Sequence, residues 1–135
     1  VTEHNRRQNL QDELTRAEQC LRAAEALLQL GLWSDSVSRS YYAAFHAIRA
    51  LLFSRGLEPR SHRGAIHLLN TEFIRRGLLP SSHNLLLGGL QRARELADYD
   101  SGVTFSEAEA QSVLDQAKSL KDASHELLTR EGWTS

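Results

Sequence analysis

Residues 38–52, SRSYYAAFHAIRALL, limit what this chain can fold into more than any other stretch, because as a helix they leave almost no face for water. Wound at about 100° per residue, Val37, Tyr41, Ala44, Phe45, Ile48, Leu51 and Leu52 share one broad apolar face, the mark of a core-facing helix. On the opposite side Arg39, Tyr42, His46, Arg49 and Phe53 recur at spacings of three and four. Ser36, Ser40, Ala43, Ala47 and Ala50 form a stripe of small residues between the two faces. A solvated face would mix Lys with Glu, yet residues 36–57 contain no acid, so the cationic and aromatic stripe is expected to meet a partner.

Apolar spacings of three and four recur along the rest of the chain, without sustained alternation or a β-branched run, and the expected class is all-α. Five helices are predicted. The first covers about residues 5–30, with Leu10, Leu14, Ala17, Leu21, Ala24 and Leu28 on its apolar line and Gly31 as terminator. The second starts near Ser34 or Asp35, either a good N-cap, and ends at Arg55-Gly56. Ser61 caps a third that reaches about Arg76, ahead of Gly77. A fourth, about residues 82–98, carries Gly88-Gly89 inside it. That pair costs roughly 2 kcal/mol against two alanines and implies close backbone approach or a kink. Thr104-Phe105-Ser106-Glu107 reads as a capping box for a last helix to about Arg130, after which residues 131–135 are expected to fray unless Trp133 docks. Short connections between long amphipathic helices give an antiparallel up-and-down bundle. It forms one domain over residues 1–135 with its core at about 5–130.

At 135 residues, 41% hydrophobic and 24% charged, the chain can bury a core without disulfides or metal. Its single cysteine, Cys20, falls inside the first helix's apolar pattern and reads as a buried thiol, which points to a reducing cytoplasm. No apolar run approaches the roughly 18–20 residues of a membrane span, and the polar start Val1-Thr2-Glu3-His4-Asn5 lacks the apolar segment of a signal peptide. The net charge of −1 conceals a segregation. Residues 36–76 hold seven arginines against Glu58 and Glu72, and the remainder of the chain carries the compensating negative charge. A basic middle of this kind fits an anion such as nucleotide or RNA, or a self-complementary association surface.

Three strings in order carry a family likeness: Ser-Arg-x-Tyr-Tyr-Ala-x-Phe-His at residues 38–46, Gly-x-x-Pro-x-x-His at 56–62, and Arg-x-x-x-Asp-Tyr at 94–99. Together they make the chain, over about residues 10–126, resemble the HEPN superfamily of small helical bundles, in particular its uncharacterised single-domain prokaryotic branch. The resemblance implies a homodimer, a small nucleotidyltransferase as partner in a toxin and antitoxin pair, and, in many relatives, metal-independent ribonuclease activity. The family's signature is an Arg followed four to six residues later by a His at the dimer cleft. A neutral imidazole there takes a proton from a ribose 2′-hydroxyl while the guanidinium holds the phosphate.

This chain departs from that signature. Around Arg94 the sequence continues Glu95-Leu96-Ala97-Asp98-Tyr99-Asp100, and no His occurs from residue 92 to 105. Asp98 lies on nearly the same helix face as Arg94 and is placed to bind the guanidinium, but an ionised carboxylate repels phosphate and is a weak base at neutral pH. Arg39 with His46, and Arg55 with His62, have the six-residue gap at other positions. The expected function is a HEPN-like dimer that partners a nucleotidyltransferase and binds nucleotide or RNA through Arg39, Tyr42, His46, His62, Arg94, Asp98 and Tyr99. Tyr42 and Tyr99 would offer stacking surfaces, and Tyr99 would also be a reachable target for nucleotide transfer. The alternatives are a ribonuclease toxin using Arg94 with His46 or His62 as base, and a helical dimer with no nucleic-acid role. No metal or cofactor is expected, since only Asp122-x-x-His125 approaches a di-iron spacing and no phosphate-binding glycine loop is present.

Overall fold

A computed structural model describes residues 3–100 and 102–135. Val1, Thr2 and Ser101, which the sequence reading places at the polar start and in the 99–103 loop, lie outside the described residues. Five α-helices follow one another: α1 (Glu3–Gln29), α2 (Trp33–Ser54), α3 (His62–Leu69), α4 (Ser82–Tyr99) and α5 (Glu107–Arg130). The described residues contain no strand. The bundle is the up-and-down, all-α architecture that the periodicity predicts, and α2 is its central member, packed against all four other helices.

The reason lies in the two non-polar stripes of α2. Tyr41, Ala44, Ile48, Leu51 and Leu52 enter the main core with Leu10 of α1, Leu69 of α3, Leu90 of α4 and Leu120 of α5. The small residues Ser36, Ser40, Ala43, Ala47 and Ala50 are buried as well, so α2 meets its neighbours on several sides at once. Ser36 does not cap the helix. Its hydroxyl donates to the Ala24 carbonyl of α1 at 2.8 Å, tying the two helices together. Cys20 is half-buried beside Leu21, and burial pushes its thiol pKa up.

Local signals come out with four adjustments. Helix α2 begins at Trp33, ahead of both expected caps, and has no side-chain cap. Ser61 caps α3 as expected, accepting from the Gly64 amide at 2.9 Å, but the α-helix stops at Leu69 and a π-turn at Asn70–Ile74 completes the segment before Gly77. In α5 the capping box is Ser106 with Glu109, not Thr104 with Glu107: two overlapping frames satisfy the pattern, and the later one leaves Phe105 outside the helix. Gly88-Gly89 produces no break in α4, and a Cβ at either position would meet only the Arg92 side chain, at 3.7 and 3.8 Å. The expected close backbone approach is therefore absent within the described residues.

The residues beyond α5 are docked, not frayed. Arg55 clasps Glu131 through two hydrogen bonds of 2.7 and 2.9 Å. The Trp133 carbonyl accepts from Arg7 and Gln11 of α1, while the Arg7 guanidinium lies 4.9 Å over the Trp133 ring. This strap joins the last residues to the first helix. Among the described residues no helix is long and apolar enough to cross a membrane.

Candidate functional site

Arg94 enters the site from the last turns of α4, where the helix has turned it inward onto α2. The residue is only 6% exposed, although its side chain is charged. Its guanidinium carbon lies 5.4, 5.8 and 5.6 Å from the ring centres of Tyr41, Tyr42 and Tyr99, within reach of cation–π attraction to each. One turn on, Asp98 places Oδ2 3.7 Å from Nη1 and also accepts from the Ser38 hydroxyl at 3.3 Å. The Tyr99 hydroxyl stands 3.4 Å from the same Nη1. These polar contacts are long, and Arg94 Nε is buried without a hydrogen-bond partner. The charge is thus framed by aromatic rings and only loosely held by oxygen.

His62, the first residue of α3, is delivered to this group by the Ser61 cap. Its Nδ1 is hydrogen-bonded to the Tyr41 hydroxyl. That bond orients the ring: the phenol donates to Nδ1 when the imidazole proton is on Nε2, and accepts from Nδ1–H when the proton is there. Burial, reinforced by the charge of Arg94, holds the His62 pKa below its ordinary value, and burial pushes that of Tyr41 up. A neutral imidazole and a protonated phenol therefore adjoin Arg94. Arg39 is exposed and stacks over Tyr42 at 4.9 Å, extending the cluster toward solvent.

His46 goes elsewhere. Its Nδ1 lies 2.6 Å from Oε2 of Glu13, a residue of α1 only 5% exposed, and Arg49 Nε lies 3.3 Å from the other carboxylate oxygen. Burial opposes ionisation of Glu13, but the His46 hydrogen bond and the charges of His46 and Arg49 outweigh it and hold the carboxyl below its ordinary range. The stripe of α2 is accordingly divided. Arg39 and Tyr42 face the Arg94 group, whereas His46 and Arg49 find their acid inside the same chain. Phe45 stands between the two sets, 4.6 Å from the His62 ring and 5.9 Å from the Arg49 guanidinium.

Of the residues singled out in the sequence, the structure gathers Arg39, Tyr42, His62, Arg94, Asp98 and Tyr99, and places His46 with Glu13. Sequence reasoning misses Tyr41 and Glu13. Tyr41 reads as a core residue, and it does lie in the core at 1% exposure, while its hydroxyl reaches His62. Glu13 has a usable signal: an acid three residues after Leu10 and four before Ala17, in the middle of α1's apolar line. No group of three His, Cys, Asp or Glu side chains is placed to hold a metal ion among the described residues.

The family model described as the HEPN domain matches residues 10–127. The chain belongs to the HEPN-domain family. Relatives of this HEPN protein include MJ0605 of Methanocaldococcus jannaschii, provisionally named a toxin, which is 32% identical over 116 residues, 86% of each chain. The UPF0332 protein glr0978 of Gloeobacter violaceus is 36% identical over 121 residues, 89% of this chain and 96% of its own. The crystal structure of TT1696 from Thermus thermophilus superposes with a TM-score of 0.76 at 22% identity, covering 88% of this chain and 98% of that one. At that identity the likeness speaks for the fold alone.

Proposed function

We propose that this HEPN-domain protein is the binding member of a toxin–antitoxin-type module. In this reading it is a cytoplasmic homodimer that pairs with a small nucleotidyltransferase and takes a nucleotide or RNA phosphate at the Arg94 group. The observation that carries the binding role is Arg94 itself: a guanidinium 6% exposed, with an unpartnered Nε and only long polar contacts. A phosphate oxygen would displace the weak Asp98 and Tyr99 contacts and gain a charge-assisted fork in their place. Tyr99, 77% exposed, and Tyr42 supply stacking faces, and Nε2 of His62 supplies a further polar contact. The provisional toxin names of MJ0605 and MJ0142 of Methanocaldococcus jannaschii support the module.

The ribonuclease reading keeps one specific support, the neutral His62 beside Arg94. Against it, Nδ1 of that imidazole is engaged by the Tyr41 hydroxyl, and no His follows Arg94 at the family's spacing. The two readings separate in one experiment on purified, metal-free protein with fluorescently labelled structured RNA. Binding without cleavage, weakened at least about tenfold by Arg94→Lys and by Tyr99→Ala with the fold retained, is expected. Cleavage abolished by His62→Asn would replace this reading with the nuclease. An absence of both binding and cleavage would leave a packing role for the cluster.

A further inference from the structure

A polar cavity of about 450 Å³ opens between α1, α2 and the loop that follows α2, away from the Arg94 group. Its walls hold Arg6 and Arg16 of α1, Arg49 and Phe53 of α2, and the carboxylates of Asp12 and Glu58. The charges are unequally available. Glu13, at the base, is committed to His46 and Arg49. Asp12 is exposed and accepts from the Gln8 amide, and the Glu58 side chain is 78% exposed at the rim, 4.0 Å from Arg49. Arg6 is different. Its Nε is buried with no hydrogen-bond partner, although the guanidinium is packed so closely on Gly56 that a Cβ there would lie 3.0 Å from Nη2. Gly56 already needs its positive φ of 73° to turn the chain out of α2, so the same glycine also leaves room for this guanidinium.

We infer that this cavity is a site for the phosphate group of a small molecule, held by the Arg6 fork with Arg16 and Arg49 beside it. An unsatisfied buried Nε–H costs stability unless an acceptor completes it, and a phosphate oxygen meets the Nε and Nη donors of one guanidinium together. The volume is in the range of small-ligand sites. The rim carboxylates decide the class. Asp12 and Glu58 repel a polyanionic strand, which excludes nucleic acid, but they tolerate one compact phosphate and accept from amino or hydroxyl groups attached to it. The Phe53 ring offers an apolar wall to the organic part. This inference is independent of the reading of the Arg94 group.

The test is NMR of the arginine Nε–H groups of the intact protein, titrated with inorganic phosphate and, separately, with AMP. The Arg6 signal is expected to move downfield on saturation. Arg6→Ala is expected to weaken binding by about tenfold or more, as loss of a hydrogen-bonded charge requires. Arg16→Glu, at an exposed position that leaves the fold intact, is expected to weaken it too, while Arg94→Lys leaves it unchanged. Tighter binding of AMP than of phosphate identifies an ester as the source, and equal binding identifies the free ion. An Arg6 signal that neither compound moves, or affinity undiminished by Arg6→Ala and Arg16→Glu, overturns the site.

Discussion

The behaviour of single residues is dominated by buried charge. Glu13 receives His46 and Arg49 at once, so Glu13→Ala strands two cationic or polar groups and is expected to cost about 3–5 kcal/mol, read as a drop in the urea midpoint. Its folded pKa is below the ordinary 4.5, which fixes the sign of its pH dependence: the contribution is fully present above 4.5 and lost as pH falls through the folded value. Glu13→Gln should flatten that acid limb of the stability curve. His62 acts in a higher window. Its pKa is lowered from 6.5, so the folded state resists protonation; stability is full above 6.5 and declines as pH falls toward the folded value. Denaturant curves between pH 7 and 5 should show this slope, to which His83, its pKa also lowered by burial, adds; His62→Gln should reduce it, and His62→Gln with His83→Gln should remove it. Neither pair was legible along the chain. Tyr41 and His62 are 21 positions apart and Glu13 and His46 are 33 apart, so both depend on how helices dock. Arg94 with Asp98 was legible, because four residues is one helical turn.

Element by element, helix termination was more readable than helix initiation. Gly31, Gly56 and Gly77 all adopt positive φ just after the segments they were expected to close. Their signal is local: few other residues accept that conformation. The start of α5 was ambiguous for an equally local reason, since Thr104 and Ser106 each precede a Glu by three positions. Substitution separates the two frames. Ser106→Ala should cost about 1 kcal/mol, whereas Thr104→Ala should leave the thermal midpoint nearly unchanged. The π-turn at Asn70–Ile74 had no distinguishing residue pattern, although Phe73 within it is fully buried in the core. Gly88 and Gly89 carry a different prediction. Since an added Cβ would make only ordinary contact with the Arg92 side chain, Gly88→Ala and Gly89→Ala should each stabilise the isolated fold by about 1 kcal/mol, measured by thermal unfolding. If the same changes reduce the mass seen in solution from a dimer to a monomer, the glycine pair belongs to a subunit seam.

On the scale of the whole molecule, a single helix in contact with all the others makes the fold hard to divide. Both polar clusters hang from α2, one toward α4 and one toward α1, with Phe45 between them. The strap formed by Arg55, Glu131 and Trp133 then ties the far end of the chain to α1. This last feature supplies an optical probe. The chain has two tryptophans, Trp33 and Trp133, and a Trp33→Phe version would emit from Trp133 alone, beneath the Arg7 guanidinium. As denaturant is added, its emission should move to the red when the strap lets go. Agreement of that signal with the loss of helical circular dichroism would mean that the strap and the bundle melt together; an earlier red shift would mean that the two ends of the chain part company while the helices still stand.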